Sequence, residues 1–415
     1  MTRQVLATTG STKVDVGLTH VVRTIVVAAC FAVLTSCSPA DATPVQTALP
    51  VPSATRATRC GVWHEVANPR LNGSDFYGIS TVSSTNAWVV GSRVKIYQNL
   101  NHTLPLAEHW DRRRWTVSGT TTPADGELRA VLAISGANVW AVGDVPGPSG
   151  VVSQLPPSRA LIEHWNGRRW RTISSPLTGA DAYLVSIAAL SPTDVWAVGG
   201  TDQGSLVERW NGSRWRIVHT PLDRQGPNAG FGAIAYIGPR NIWTGGSDGP
   251  NLAIAVTEHW NGRRWLTVNV PTKAGGAGNT SYDDQSIYGL TVASPSDVLA
   301  LSEFGSVLRW TGRRWVMVHS LPFGAGSVDA LGIASRGSKD VWVVGERGSP
   351  HFHAAAEHWN GSRWTWKRSA APRVRYGSVL RGIAVSPTQT WAVGFLPGNS
   401  YKNQGQGLIE ELHRC

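Results

Sequence analysis

Residues 194–199 read Asp-Val-Trp-Ala-Val-Gly, and they are followed by Leu206-Val207-Glu208-Arg209-Trp210, then Asn211-Gly212-Ser213-Arg214 and Trp215. The same three tryptophan slots recur along the chain. The first holds Trp88, Trp140, Trp196, Trp243, Leu299, Trp342 and Trp391, and the second Trp110, Trp165, Trp210, Trp260, Trp310, Trp359 and Leu412. The third holds Trp63, Trp115, Trp170, Trp215, Trp265, Trp315 and Trp364, so of the 20 tryptophans only Trp366 falls outside the pattern. First-slot spacings of 52, 56, 47, 56, 43 and 49 residues are longer than the periods of helical solenoids.

Each unit reads as four short strands. In the third these are Leu184–Leu190, Asp194–Gly199, Ser205–Trp210 and Arg214–Val218, rich in β-branched and aromatic residues between turn signals. Ser191-Pro192-Thr193-Asp194 separates the first two, and Asn-Gly, the mark of a two-residue type I′ hairpin, separates the last two at Asn166-Gly167, Asn211-Gly212, Asn261-Gly262 and Asn360-Gly361. Four-stranded units repeated radially make an all-β, seven-bladed β-propeller of antiparallel blades.

A ring must close. Trp63-His64-Glu65-Val66 matches a fourth strand with no unit before it, and Leu408-Ile409-Glu410-Glu411-Leu412 matches a third strand with no fourth after it. Each end therefore completes the other. On the repeat alignment Cys60 takes the place of Gly167 and Cys415 that of Arg168, so a Cys60–Cys415 disulfide is expected to replace the missing turn; two free thiols are the alternative. In the chain-entropy view such a long loop closure stabilises the fold by roughly 5 kcal/mol.

The other cysteines lie further upstream. Arg23 precedes an apolar run, Thr24 to Leu34, with the length of a signal-peptide core and too short to span a bilayer. Leu34-Thr35-Ser36-Cys37 resembles the lipobox of bacterial lipoproteins, a resemblance that implies cleavage before Cys37 and acylation of its thiol. A plain secretory signal or an uncleaved anchor is the alternative. Residues 1–36 then form the signal peptide, 37–59 a tether rich in Pro, Ala and Thr, and 60–415 the propeller, lipid-anchored on the extracytoplasmic side where disulfides persist.

The net charge is +11, and loss of residues 1–36 leaves +9. Eleven arginines sit in the third-to-fourth-strand turns: Arg112, Arg113, Arg114, Arg168, Arg169, Arg214, Arg263, Arg264, Arg313, Arg314 and Arg363. A basic ring of this kind points to anionic lipid or cell-wall polymer; nucleic acid is disfavoured by location. A structural reading competes with it. A two-residue turn sets Trp165 opposite Arg168 and Glu163 opposite Trp170, so Arg168 can lie on the Trp165 ring, while Arg169 decorates an edge strand against sheet pairing.

The pairs Glu108-His109, Glu163-His164, Glu258-His259 and Glu357-His358 recur in unit after unit, which suits cross-strand bonding rather than one catalytic centre. Gly91, Gly143, Gly199, Gly245, Gly345 and Gly394 end second strands and read as turn positions. The small residues Gly78, Ala130, Ser186, Ala233, Gly289 and Gly332 suit a crowded innermost strand.

Specific function belongs where the repeat breaks. Variable segments at Val94–Leu106, Asp144–Arg159, Thr220–Gly230, Val270–Ile287, Glu346–Ala354 and Phe395–Gln406 emerge together on the face opposite the short turns. Candidate ligand-binding residues there are Asp75, Tyr77, Tyr183, Tyr282, Asp283, Asp284, His351 and His353; His351 and His353 share one side of an extended segment but lack a third metal ligand. The blade pattern over residues 60–415 resembles the Trp-rich, kelch-like propellers of secreted and lipid-anchored bacterial proteins. It lacks sialidase Ser-x-Asp-x-Gly-x-Thr-Trp boxes, the kelch Gly-Gly pair in most units, a Gly-x-Ser-x-Gly elbow, Cys-x-x-Cys and a P-loop. The expectation is a noncatalytic binding or scaffolding module without cofactor, its partner a protein, peptidoglycan or polysaccharide on the variable face. The alternative is a hydrolase or lyase of carbohydrate or cell-wall metabolism.

Overall fold

The β-branched and aromatic runs of each repeat do form strands. The computed structural model describes residues 61–413 apart from 98–99, 123–124, 147–157, 178–180, 227–228, 250–253, 272–285, 304, 322–327, 349–350, 373–376 and 399–403. The described chain enters at β1 (Trp63–Glu65). The first repeat supplies β2 (Ser74–Ser83), β3 (Asn86–Tyr97), β4 (Leu100–Trp110) and β5 (Trp115–Val117), and the second β6 (Glu127–Ser135), β7 (Asn138–Pro146), β8 (Ser158–Trp165) and β9 (Trp170–Thr172). Then follow β10 (Ala182–Ser191), β11 (Asp194–Thr201), β12 (Ser205–Trp210) and β13 (Trp215–Ile217), and β14 (Gly230–Gly238), β15 (Asn241–Ser247), β16 (Ala255–Trp260) and β17 (Trp265–Asn269). The fifth repeat gives β18 (Ile287–Ser294), β19 (Asp297–Ser302), β20 (Ser306–Trp310) and β21 (Trp315–Ser320), and the sixth β22 (Val328–Gly337), β23 (Asp340–Arg347), β24 (His353–Trp359) and β25 (Trp364–Arg368). The last strands are β26 (Val379–Val385), β27 (Gln389–Leu396) and β28 (Gln406–His413).

All pairings are antiparallel. Five sheets have four strands each, while β10 to β17 form an eight-stranded sheet whose halves meet at a single bridge, Gly200 with Gly230. The first strands pack in the circuit β2, β6, β10, β14, β18, β22, β26, and β26 returns to β2. In the last sheet β1 lies on β28, with Trp63 opposite Leu412, and the Gly61 N–H donates to the His413 carbonyl at 2.9 Å. The two ends of the described chain thus share one sheet, as the alignment expects. Cys30, Cys37, Cys60 and Cys415 lie outside the described residues.

Tryptophans wedge the sheets together. The first-slot Trp of one sheet packs between the second- and third-slot Trp of the next: Trp88 lies 5.2 Å from Trp165 and 5.3 Å from Trp170, and Trp140 lies 5.1 Å from Trp210 and 5.4 Å from Trp215. Trp391 closes the circuit on Trp110 and Trp115, both at 5.5 Å. Near-perpendicular edge-to-face contacts of this sort add to the large apolar area buried. Where Leu299 replaces Trp, its cluster recruits Trp359, Trp364 and also Trp366, the tryptophan outside the repeat.

The Glu-His pairs divide their labour. His109, His164, His259 and His358 lie on Trp88, Trp140, Trp243 and Trp342 at 4.1–4.3 Å, each with Nε2 bonded to Asn86, Asn138, Asn241 or Asp340. In the third repeat Arg209 takes the place of His, over Trp196 and paired with Asp194. The glutamates turn the other way and grip the preceding repeat. Glu163 accepts from both N–H and hydroxyl of Thr121 and Thr122, Glu208 from Ser175, and Glu410 from Ser369 and the Ala371 N–H. Glu108 has no such cradle: Pro69 has no N–H, and the Arg70 N–H goes to Asn68. Its Oε2 is buried without a partner.

Three expectations need correction. The Asn-Gly connections are four-residue loops rather than two-residue turns: Trp165 pairs with Trp170 and Glu163 with Thr172, while Asn166 Oδ1 accepts from the N–H of Arg168 and Arg169. The longer loop lifts Arg168 off the indole. Among the described residues Trp165 packs on Trp88 and Trp170 and has no cation–π contact with Arg168. The second-strand glycines are not turn positions but stand opposite a bulge in the first strand, where a Cβ at Gly91 would lie 1.9 Å from the Asp75 carbonyl oxygen. In the fourth repeat Gly246, not Gly245, holds that place.

Burial raises the Glu108 carboxyl to about 8 and those of Glu208 and Glu258 to about 7, while it lowers His109, His164 and His259. The stability linked to raised glutamates is complete below their ordinary value and lost as pH climbs through 7 to 8; that linked to lowered histidines is present above about 6.5 and lost in acid. Denaturant titrations from pH 5 to 9 should therefore show stability falling above about pH 6.5, where the histidine contribution is complete, up to about pH 8, with an alkaline slope on the order of 1.4 kcal/mol per pH unit for each glutamate that only the fold keeps protonated. Glu108→Gln should flatten the alkaline limb and leave the acid limb alone; an unchanged alkaline slope contradicts this account.

Candidate functional site

Every first strand carries a one-residue bulge at the same place, so one side chain per strand loses its ladder partner. The skipped residues are Tyr77, Arg129, Val185, Gly232, Tyr288, Leu331 and Arg381. A bulge re-aims a side chain and bends the strand. Tyr77, Arg129, Val185, Gly232, Tyr288 and Leu331, with Gly382 beside Arg381, line an axial channel of about 230 Å³. The small residues Gly78, Ala130, Ser186, Ala233, Gly289 and Gly332 follow directly and let neighbouring inner strands approach: a Cβ at Gly78 would stand 3.1 Å from the Ala130 Cα. Because the bulges fall early in each first strand, they sit at the channel mouth on the variable-loop side.

Two residues before each bulge comes a second tier that includes Asp75, Glu127, Tyr183, Gly230 and Asp329. The two tiers interlock. Asp75 pairs with Arg381 at 3.1 Å, the Arg381 guanidinium lies 5.6 Å from the Tyr77 ring, and the Tyr77 hydroxyl is 3.3 Å from that of Ser92. Arg129 pairs with Asp144 at 2.7 Å and with Glu127, and the Tyr288 hydroxyl donates to Glu303 at 2.9 Å. Glycines at 230 and 232 leave one gap in this horseshoe. Burial holds the Tyr77, Tyr183 and Tyr288 phenols protonated well above their ordinary range and pushes Asp75 up, with Arg381 opposing the shift. Glu346 is raised to about 7 by burial and by Asp329, again against Arg381.

The sequence-derived candidates divide into groups. Asp75, Tyr77 and Tyr183 come to the mouth together. His353 opens β24 opposite Arg347, and His351 stands exposed just ahead of it. Among the described residues no group of three or more His, Cys, Asp or Glu is placed to hold a metal. Tyr282, Asp283 and Asp284 lie outside the described residues. Val94–Leu106, expected as a loop, is instead a hairpin extension of β3 and β4 that ends with Tyr97 opposite Leu100 and exposes Ile96 and Tyr97. Arg129, Tyr288, Arg381, Glu127 and Glu346 were missed; the small residue marking each inner strand was the available signal, since the bulge residue immediately precedes it.

The described architecture is that of a β-propeller. The structure of YCF48 bound to D1 peptide resembles it with a TM-score of 0.52 and 14% identity, over 84% of this chain and 96% of that one. YCF48 from Cyanidioschyzon merolae (TM-score 0.53, 13% identity, 85% and 99% coverage) and the RRP9 WD40 repeats (0.53, 12%, 85% and 98%) are similar to the same degree. No protein-family model matches the chain, and no curated protein matches it.

Carbon-13 NMR of the glutamate carboxyls should place the Glu346 titration near pH 7. Asp329→Asn should lower it and Arg381→Gln raise it; a midpoint that neither change moves refutes the coupling drawn across the mouth.

Proposed function

We propose that this chain is a seven-bladed propeller that binds an extended segment of a partner protein across the channel mouth, as a noncatalytic module held outside the membrane. Seven repeats, 28 strands among the described residues and the closed circuit of first strands support the blade count. The observation that carries the binding role is the bulge ring, which sets two tyrosines and two arginines around one channel, with Tyr183 in the tier beside them. Tyrosines offer rigid amphipathic contact area, and the carboxylate and guanidinium pairs offer hydrogen bonds to a peptide backbone. The groups there are already paired with one another, which suits a recognition surface better than a free acid and base. Exposed Ile96 and Tyr97 on the projecting hairpin extend that surface with apolar area. The solved YCF48 structure holds a peptide, so this architecture accommodates such a ligand.

Anchoring rests on the Cys37 lipobox, and closure on Cys60 and Cys415, which flank the paired residues Gly61 and His413. Alkylation mapping before and after reduction should recover Cys60 and Cys415 linked, and labelling with an alkyne fatty acid should vanish in Cys37→Ala. Two alkylatable thiols, or unchanged labelling, reject the respective assignment.

For the site, photo-crosslinking side chains placed at Tyr97 or Tyr288 in intact cells should trap a discrete protein adduct that one placed at Arg168 does not. Tyr77→Ala should weaken capture at least tenfold, a loss expected from one buried aromatic contact. Adducts that only cell-wall hydrolases dissolve would replace the peptide by a polysaccharide, and equal trapping from Arg168 would discard the mouth as the site.

A further inference from the structure

Arg168 does not stack on Trp165, so that contact does not account for the arginines of these turns. All eleven are exposed, and among the described residues none of their guanidinium groups forms an ion pair or hydrogen bond. The carboxylates on the same side are already engaged. Asp194 is held by Arg209 at 2.7 Å, Asp297 by Arg309, and Asp340 by Arg336 at 2.7 Å and His358 at 2.9 Å, while Asp111 accepts the N–H of Arg113 and Arg114 at 2.9 Å. The adjoining first-to-second turns add exposed Arg240 and Lys339. We infer that this face docks on an anionic phospholipid surface.

Three observations select a bilayer as the occupant. The basic side chains ring one face instead of filling a groove, so they match a surface that is extended and uniformly charged. The opposite mouth has the other polarity: Asp75, Glu127, Asp144, Glu303 and Glu346 outnumber Arg129 and Arg381, so an anionic surface repels it. The chain also enters on the basic side. Gly61 bonds to the His413 carbonyl at the position that Arg168 occupies in the second repeat, so the described chain begins on the arginine face. Cys37 precedes Gly61 by only 24 positions, so an anchor there would tie the chain in on that face. Attachment at Cys37 does not set orientation by itself; the polarised charge does, and it turns the variable face outward. This inference does not depend on what occupies the channel mouth.

Vesicle sedimentation of the full chain tests it, with Cys37→Ala throughout so that no acyl chain contributes. The readout is the ratio of partition coefficients between vesicles containing phosphatidylglycerol and vesicles of phosphatidylcholine alone, which cancels any apolar contribution from the N-terminal segment. The ratio should exceed 10 at 50 mM salt and collapse at 0.5 M, where screening is nearly complete, taking about 10-fold as the smallest effect of a few surface arginines. Each arginine near the surface is expected to contribute about fivefold, so Arg263→Gln with Arg264→Gln should lower the ratio about 25-fold or to unity. The charge-matched pair Lys95→Gln with Arg224→Gln, on the variable side, should leave it unchanged. A ratio near one for the parent chain overturns the proposal, as does an equal loss in both double variants. Tight, salt-sensitive binding to a 20-nucleotide RNA without charge-selective vesicle binding would give the face to nucleic acid instead.

Discussion

In most repeats one tryptophan inserts between two tryptophans of the next sheet, and the rest of the molecule is arranged around that contact. A four-stranded sheet of this length has two faces and cannot bury either alone, so stability resides between sheets. The wedge of Trp391 on Trp110 and Trp115 is therefore the same interaction that joins most other neighbouring pairs, applied where the circuit meets its beginning. Large rigid side chains suit this place because a close-packed seam tolerates little repacking. The departures are instructive: where Leu299 leaves space, Trp366 is drawn into the same cluster.

Polar groups buried beside that seam follow a division of labour. Imidazoles or guanidiniums cover the indole faces and are fixed by Asn or Asp at the start of the second strand, while glutamates reach back to tie down the outer loop of the preceding repeat. Both devices satisfy buried polar atoms and couple neighbouring sheets. Glu108 lacks the loop donors that hold Glu163, Glu208 and Glu410, and burial alone raises its carboxyl to about 8.

The channel mouth follows from a backbone feature rather than from a loop. A bulge in each inner strand turns a carbonyl toward the second strand, where six of the seven repeats place glycine and the fifth places Ser302, and swings the skipped side chain toward the axis. Repetition builds the position, and variation at that position builds the site. The opposite face carries uniform turns and uniform charge, so varied and repeated residues are separated onto the two ends of the axis.

Much of this was legible in the residues. The three tryptophan slots gave the repeat, the strand count and the closure of Trp63 onto Leu412, because an inter-sheet contact repeated every 50 residues or so leaves a periodic trace in the chain. The crowding at Gly78 and Ala130 was readable for the same reason. The turn geometry was not: Asn-Gly is compatible with both a two-residue turn and a four-residue loop, and pairing across the sheet chose the latter. Nor was the site, whose members Tyr77, Arg129, Tyr288 and Arg381 share no residue type and lie tens to hundreds of residues apart. Sequence alone determined which residues repeat, and so the fold; tertiary structure decided which non-repeating residues meet, since only closing the sheets around a common axis brings the bulges of distant strands to one opening.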